Sequence, residues 1–250
     1  MRKIIRLAKA AIKKTGFYHA RREQKELAKL RHADLTKINF GCAGNMLAGW
    51  TNTDGGDGKY WTAPAHPDII QLDVWKFLAH TPDGVARFIS SEQFFEHFDR
   101  HEGHRMIREW FRILVPGGIL RIQTVDLTKE IQVYLDQCPG VSWQKDVLPH
   151  RYGHIKRTTD PYGKLIEGEV YTRAMLLNNG FHMKGHKYIY DFEAIEQSLR
   201  LAGFSNIKAE TFGHSDHEEL RGIDRHDGGD TGRHWIPKNV LTAEAEKPTR

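Results

Sequence analysis

Cysteine is almost absent. Cys42 and Cys138 are the only two in 250 residues, too few and too isolated for a disulfide framework or a cysteine-based zinc site. No apolar run approaches the roughly 20 residues that cross a bilayer, so no membrane-spanning segment is expected. The N-terminus lacks the apolar core and small-residue cleavage site of a secretory signal, which makes a reducing cytoplasm the expected address. There is no internal repeat, no low-complexity tract and no complete G-x-G-x-x-G, the phosphate-cradling signature of dinucleotide enzymes.

What is present is the composition of a globular chain, 39% hydrophobic and 28% charged, long enough for one large domain. The net charge of +5 is unevenly placed. Met1 to His32 carries about eleven Lys and Arg against Glu23 and Glu26, and the remainder is mildly acidic. In this stretch Ile4, Ile5, Leu7, Ala8, Ala11 and Ile12 interleave with Arg2, Lys3, Arg6, Lys9, Lys13 and Lys14. A basic helical segment over 1–32 follows, separate from a domain over 33–250. Two readings stay open for it: a helix packed on the domain with solvated lysines, or peripheral contact with the anionic inner face of a membrane.

Beyond that segment, short β-rich runs alternate with helical stretches, the pattern of an α/β sheet. Strands are expected at Lys37 to Phe40, Trp50 to Thr53, Ile69 to Leu72, Val85 to Ser90, Gly118 to Gln123, Asn206 to Thr211 and Asn239 to Ala245. One helix is marked by Met106, Ile107, Trp110, Phe111 and Leu114 and stopped by Pro116-Gly117-Gly118. Another has Asp191 as its cap, Phe192, Ile195, Leu199 and Ala202 on one face, and Gly203 where a left-handed terminal residue belongs. From Asp126 to Gly185 periodicity weakens over a length too great for a plain connection. This segment, with His150, Arg151, His154, Lys156 and Arg157, is the candidate substrate lid, about 127–185.

The densest signal is the run from Lys37 to Asp54, a strand, a turn bearing Gly41, Ala43 and Gly44, and a second strand ending in a carboxylate. Small residues at a strand end let a ligand approach the backbone where peptide N–H groups are free. Asp54 suits the two hydroxyls of a ribose. It follows Gly41 by only thirteen positions instead of the roughly twenty of a dinucleotide site, leaving no room for a full helix between the strands. A cofactor without phosphates fits better.

The run Asn39 to Asp54 resembles the first motif of predicted class I S-adenosylmethionine-dependent methyltransferases, type 11-like, associated with glycan and natural-product biosynthesis. Ser90 to Phe98 resembles that group's strand-4 motif, and Arg108 to Ile122 the following helix and strand. His186 to Asp191, Ala202 to Ile207 and Glu219 to His226 resemble its C-terminal blocks. The likeness covers roughly residues 37 to 247. It implies a Rossmann-like, doubly wound seven-stranded α/β sheet with an N-terminal helix and a lid inserted after strand 5. It implies S-adenosylmethionine as cofactor, released as S-adenosylhomocysteine. Phe40, Gly41, Cys42, Ala43 and Gly44 would border its methionine and ribose, Asp54 the ribose hydroxyls, Leu72, Asp73 and Val74 the adenine, and Ser91 and Glu92 the methionine moiety. Ala43 departs from the usual glycine, and Ala86-Arg87 stand where an aspartate is common.

Methyl transfer from a sulfonium is an in-line displacement in which the protein positions the acceptor and manages its proton, a task suited to histidine. His97, His182 and His186 are the candidates, each weighed against a purely structural role: His97 and Glu96 as a helix anchor, the other two as surface residues. As a zinc pair His182 and His186 fail, because Gly185 interrupts the helix and no third ligand is specified, so no metal is expected, with a magnesium site assembled from distant carboxylates the one alternative left open. Arg221, Asp224, Arg225 and His226 read as a solvated loop or as an anchor for an anionic acceptor. The expected partner is a small-molecule or glycan hydroxyl. Nucleic-acid methylation lacks a base-reading motif, and a non-catalytic binding protein on the same fold is the third reading. The acceptor atom and oligomeric state are not specified by the sequence.

Overall fold

The computed structural model describes residues 19–55, 66–137, 139–149, 165, 167–182, 185–225 and 240–249. The strands are β1 (Lys37–Phe40), β2 (Thr51–Asp54), β3 (Ile69–Gln71), β4 (Ala86–Glu92), β5 (Leu114–Val125), β6 (Ser205–Glu210) and β7 (Val240–Glu246). They form one sheet in the order β3-β2-β1-β4-β5-β7-β6. β1 to β5 are mutually parallel, and β7 runs antiparallel between β5 and β6.

Each stretch read as a strand overlaps one of these: Lys37 to Phe40 coincides with β1, and the other six have shifted ends. Asp54 and Glu92 join β2 and β4, and β5 begins at Leu114. The helix before β5 stops at Ile113, and Leu114 is already extended (φ −70°, ψ 142°). Regular pairing with β4 resumes at Ile119 after a register shift. Gly118 lies in this irregular stretch, where a Cβ would meet Leu114 and the Val115 carbonyl at 2.9 Å.

The helices are α1 (described over 19–32), α2 (Val74–Ala79), α3 (Arg100–Ile113), α4 (Leu127–Tyr134), α5 (Arg173–His182) and α6 (Phe192–Ala202). A reciprocal capping box starts α3: the Asp99 carboxylate accepts from the N–H of Glu102, whose own side chain accepts from the N–H of Asp99. Met106, Ile107, Trp110 and Ile113 then face the core, while Phe111 lies to the side, against Phe204 at 5.0 Å. A Cβ at Gly103 would collide with the Tyr190 hydroxyl, so this glycine lets a fully buried tyrosine pass under the helix. In α6, Asp191 caps the start and Gly203 ends it in the left-handed conformation (φ 101°), as its sequence position predicts.

The described part of α1 is docked on the domain. Leu27 and Leu30 enter the core, the Glu26 carboxylate accepts from the Gln71 N–H at 3.0 Å, and Lys29 Nζ donates to the Ile69 carbonyl at 3.1 Å. Side chains thus satisfy main-chain groups on the outer edge of β3, closing a strand edge that would otherwise template aggregation. The more apolar half of the basic segment, with Ile4 to Lys14, lies outside the described residues. Among those described, no helix is long and apolar enough to cross a membrane.

The long segment after β5 starts and finishes at one point. Asp126 pairs with Tyr190 in a parallel bridge, and the Leu127 N–H donates to the Tyr190 carbonyl at 2.8 Å. Between these points α4 packs against α5, with Arg173 stacked on Trp143 at 5.2 Å and bonded to the Tyr134 carbonyl at 3.1 Å. The sequence showed no clear periodicity here, yet both helices form. His150, Arg151, His154, Lys156 and Arg157 fall outside the described residues.

A buried ion cluster ties the back of the sheet together. Arg121, in mid-β5 and 1% exposed, donates to both oxygens of Asp224, to Glu244 on β7 and to the His214 carbonyl. Burial pulls the guanidinium pKa down, but the Asp224 bonds and the charges of Asp224 and Glu244 outweigh it and hold it above its ordinary value.

Candidate active site at the sheet switch point

The chain leaves β1 toward β2 and β3 on one side and reaches β4 on the other, so strand order reverses between β1 and β4. In open α/β sheets ligands bind outside the carboxyl ends of the strands at such a point. Here the ends meet in register, Phe40 beside both Thr53 and Ser91. The crevice therefore has one rim after β1 and β2 and another after β4 and β5.

On the first rim, residues 41–50 form turns without a helix, as the short spacing predicts. Asn52 holds this loop. Its side-chain carbonyl accepts from Asn39 Nδ2 and the Leu47 N–H, and its amide donates to the Leu47 and Trp50 carbonyls, all within 3.1 Å. Two details differ from expectation. The N–H groups of Gly41 and Cys42 both donate to the Thr53 carbonyl (2.9 and 3.2 Å), so they tie the turn to β2 instead of facing a ligand. A side chain at Gly41 would lie 2.5 Å from Phe94 Cγ, so this glycine (φ 68°) makes room for a ring of the chain itself. Around Gly44, by contrast, a Cβ would meet no described atom within 4 Å. Ala43 is left-handed (φ 48°), which gives a physical reason for the glycine usual at that place.

Asp54 is buried at the end of β2, one oxygen accepting the Gly55 N–H at 2.7 Å. The buried Cys42 thiol has its pKa pushed up to about 12, first by burial and then by the Asp54 charge, which places the turn beside that carboxylate. Phe40 is a core ring, packed on Phe77 and Trp110 at 5.3 and 5.6 Å, so only its backbone can reach the crevice. Leu72 is buried, Asp73 is exposed and caps α2 through the N–H groups of Trp75 and Lys76, and Val74 is half-buried.

The second rim is polar. Ser91 Oγ, Gln93 Nε2 and both amide atoms of Gln123 are buried without a hydrogen-bond partner among the described residues. Gln93 is left-handed (φ 48°). Buried polar atoms are nearly always bonded, so a group of unmatched ones at a crevice fits a polar ligand. Gln93 and Gln123 were not legible in the sequence, since pairing of Glu92 with Gln123 becomes visible only in the sheet register. Glu92 Oε1 accepts the Arg225 N–H at 2.9 Å. The polar run around Arg225 thus divides: Asp224 is internal, Arg225 reaches Glu92, Arg221 bonds to the Ser215 and Asp216 carbonyls near the surface, and His226 lies outside the described residues. Asp224 contradicts the solvated-loop reading, because Arg121 needs a buried counter-charge.

Beyond this rim a single 3-10 turn, Phe95–His97, holds Glu96 fully buried, its Oε2 accepting from Thr124 Oγ1 at 2.8 Å. The N–H groups of Lys187 and Tyr188 both donate to the Glu96 carbonyl, which brings His186 alongside, with the rings of His97 and His186 5.2 Å apart. Their ligand atoms and a Glu96 carboxylate oxygen lie within 4.8 Å of one another. His182 ends α5, is exposed, and does not belong to this group.

No sequence family and no curated protein matches the chain. Among solved structures it is similar to a SAM-dependent methyltransferase from Archaeoglobus fulgidus, at 16% identity over 90% of this chain and 94% of that one, with a TM-score of 0.45. It is also similar to a putative methyltransferase in complex with the Trm112 activator from Haloferax volcanii, at 13% identity over 96% and 95%, TM-score 0.44. A third likeness is to an O-methyltransferase family protein from Burkholderia thailandensis, at 12% identity and TM-score 0.44, covering 90% of this chain and 56% of that one. These similarities are too distant to assign an activity, and the fold assignment stands on the sheet itself. Seven strands, an antiparallel β7 between β5 and β6, and the reversal of strand order between β1 and β4 decide it. This is the class I methyltransferase fold.

Proposed function

We propose that this chain is an S-adenosylmethionine-dependent methyltransferase that acts on a hydroxyl of a sugar, glycan or related small metabolite. The observation that carries the reading is the pairing of a buried Asp54 carboxylate on one rim with the unmatched Ser91 and Gln93 polar atoms on the other. When bound, the cofactor supplies an electrophilic methyl group on a sulfonium. Asp54 accepts hydrogen bonds from the ribose hydroxyls, and the Cys42–Gly44 turn lies along the ribose and methionine. Leu72, Asp73 and Val74 border the adenine. Ser91 and Gln93 bond the polar end of the methionine, with Glu92 held in place by Arg225. The Glu96, His97 and His186 group stands just past this rim, on the side from which the acceptor hydroxyl approaches. S-adenosylhomocysteine is the product left in the crevice.

Calorimetry tests the cofactor half. Both S-adenosylmethionine and S-adenosylhomocysteine should bind the intact chain, and Asp54→Ala should weaken both at least tenfold. No binding by either compound at millimolar concentration overturns the reading. Phe94 seated on Gly41 favours one alternative, a non-catalytic binding protein on the same fold. Cofactor binding without turnover across a broad panel of hydroxyl acceptors would support that alternative.

A further inference from the structure

The sequence argues against a metal because it offers His182 and His186 as the pair, separated by a helix-breaking Gly185. The fold makes a different pair. His186 stands against His97, and the third ligand that was lacking is Glu96, buried beneath them. We propose that Glu96, His97 and His186 form a binding site for a divalent transition-metal cation of the zinc type.

Donor chemistry selects the ion. Two imidazoles and one carboxylate suit zinc and its neighbours, whereas magnesium and calcium favour all-oxygen sets. Two histidines and a glutamate with one position open is a known arrangement of catalytic zinc.

The surroundings fix the donors. His186 Nδ1 lies 2.8 Å from the Gly180 carbonyl, an oxygen that can only accept, so Nδ1 carries the proton and Nε2 the lone pair. A ligating histidine typically donates its other ring nitrogen to a carbonyl in this way. Glu96 is oriented by the Thr124 hydroxyl, and its carbonyl is held by the N–H groups of Lys187 and Tyr188. Contacts from β5, α5 and the stretch at Lys187 and Tyr188 thus hold two of the three ligand residues, Glu96 and His186. The donor atoms, within 4.8 Å of one another, need to close to about 3.4 Å for a tetrahedral zinc ion. That is a shift of under roughly 1 Å for each donor, within reach of side-chain rotation.

The binding site stands independently of the methyl-transfer reading, but its role rests on that reading. A metal-bound acceptor hydroxyl has its pKa lowered and releases its proton to solvent. The oxygen then bonds to the methyl carbon as the carbon–sulfur bond breaks, and the bonding pair stays on sulfur as the neutral thioether. His97 and His186 act as ligands here and not as bases, since a lone pair on a metal cannot accept a proton.

The test is titration of the chelator-stripped full chain with Co2+ and Zn2+. One equivalent of Co2+ should give the visible absorption of a low-coordinate nitrogen and oxygen field, and Zn2+ should displace it. His186→Gln should weaken binding of both ions at least tenfold with an unchanged circular dichroism spectrum, and Glu96→Gln should do the same. His101→Gln, at an exposed position on α3, should leave it unaltered. Absence of cobalt absorption, or unchanged affinity in the folded His186→Gln variant, overturns the site. Calorimetry with S-adenosylmethionine on the stripped protein separates the two proposals. Cofactor binding without cobalt binding defeats the metal site alone, and cobalt binding without cofactor binding defeats the methyl-transfer reading alone.

Discussion

β1, β2 and β3 span only four, four and three residues, whereas β4, β5 and β7 run for seven, twelve and seven. The two wings of the sheet are held differently in consequence. In the short-strand wing few ladder bonds are available, so side chains hold the main chain: Asn52 the loop after β1, Thr53 Oγ1 the Ile70 carbonyl at 2.9 Å, and Glu26 the Gln71 N–H. In the long-strand wing the ladders suffice for the backbone, and the polar side chains join instead in the Arg121, Asp224 and Glu244 cluster. The rim after β1 and β2 is thus built from adjustable parts, and the rim after β4 and β5 rests on a stiff plane.

The comparison can be broken most forcefully in the long-strand wing. Asp224→Ala leaves a buried guanidinium with only Glu244 as counter-charge and should cost about 3–5 kcal/mol, read from urea unfolding. Because the next residue holds Glu92, the same variant should weaken cofactor binding. In the other wing, Asn52→Ala removes four side-chain bonds, three of them buried, and should cost about 2–3 kcal/mol. A greater loss for Asn52→Ala than for Asp224→Ala would reverse the assignment of stiffness. Ala43→Gly relieves a left-handed alanine in the short-strand wing and should stabilise by up to about 1 kcal/mol, with cofactor affinity retained.

The smallest effect lies outside both wings and serves as a control. Hydrogen bonding from the N–H of Glu102 holds the Asp99 carboxyl below its ordinary pKa. A lowered folded-state pKa means that its contribution to stability is full above the ordinary carboxylate range and is lost as pH falls through the folded value. Asp99→Asn should therefore remove a shallow acid-side decline in melting temperature without changing cofactor affinity.

Local patterns were legible in the sequence. The apolar spacing of α3, the Gly203 terminus, the strand ending at Asp54 and the absence of a helix after β1 follow from propensity, periodicity and length alone. Long-range pairings were not. Arg121 and Asp224 are 103 positions apart, and nothing local to either residue announces the partner that the fold supplies. Gly41 was legible as a residue that makes room, but not that Phe94 takes the room. His186 was visible as a candidate, yet its true neighbours arrive only because Lys187 and Tyr188 bind the Glu96 carbonyl. α4 and α5 escaped notice because their amphipathic patterns are weaker than that of α3 and they pack chiefly on each other.

The stitch between Asp126 and Tyr190 gives the excursion after β5 a common doorway for departure and return. A segment hinged in this manner is an exchangeable cassette: it can be shortened, lengthened or transplanted without rethreading any strand. Any such graft would carry His186 away with the cassette while Glu96 and His97 stay behind on the frame, so exchanging the segment and dismantling the proposed metal site become a single evolutionary event.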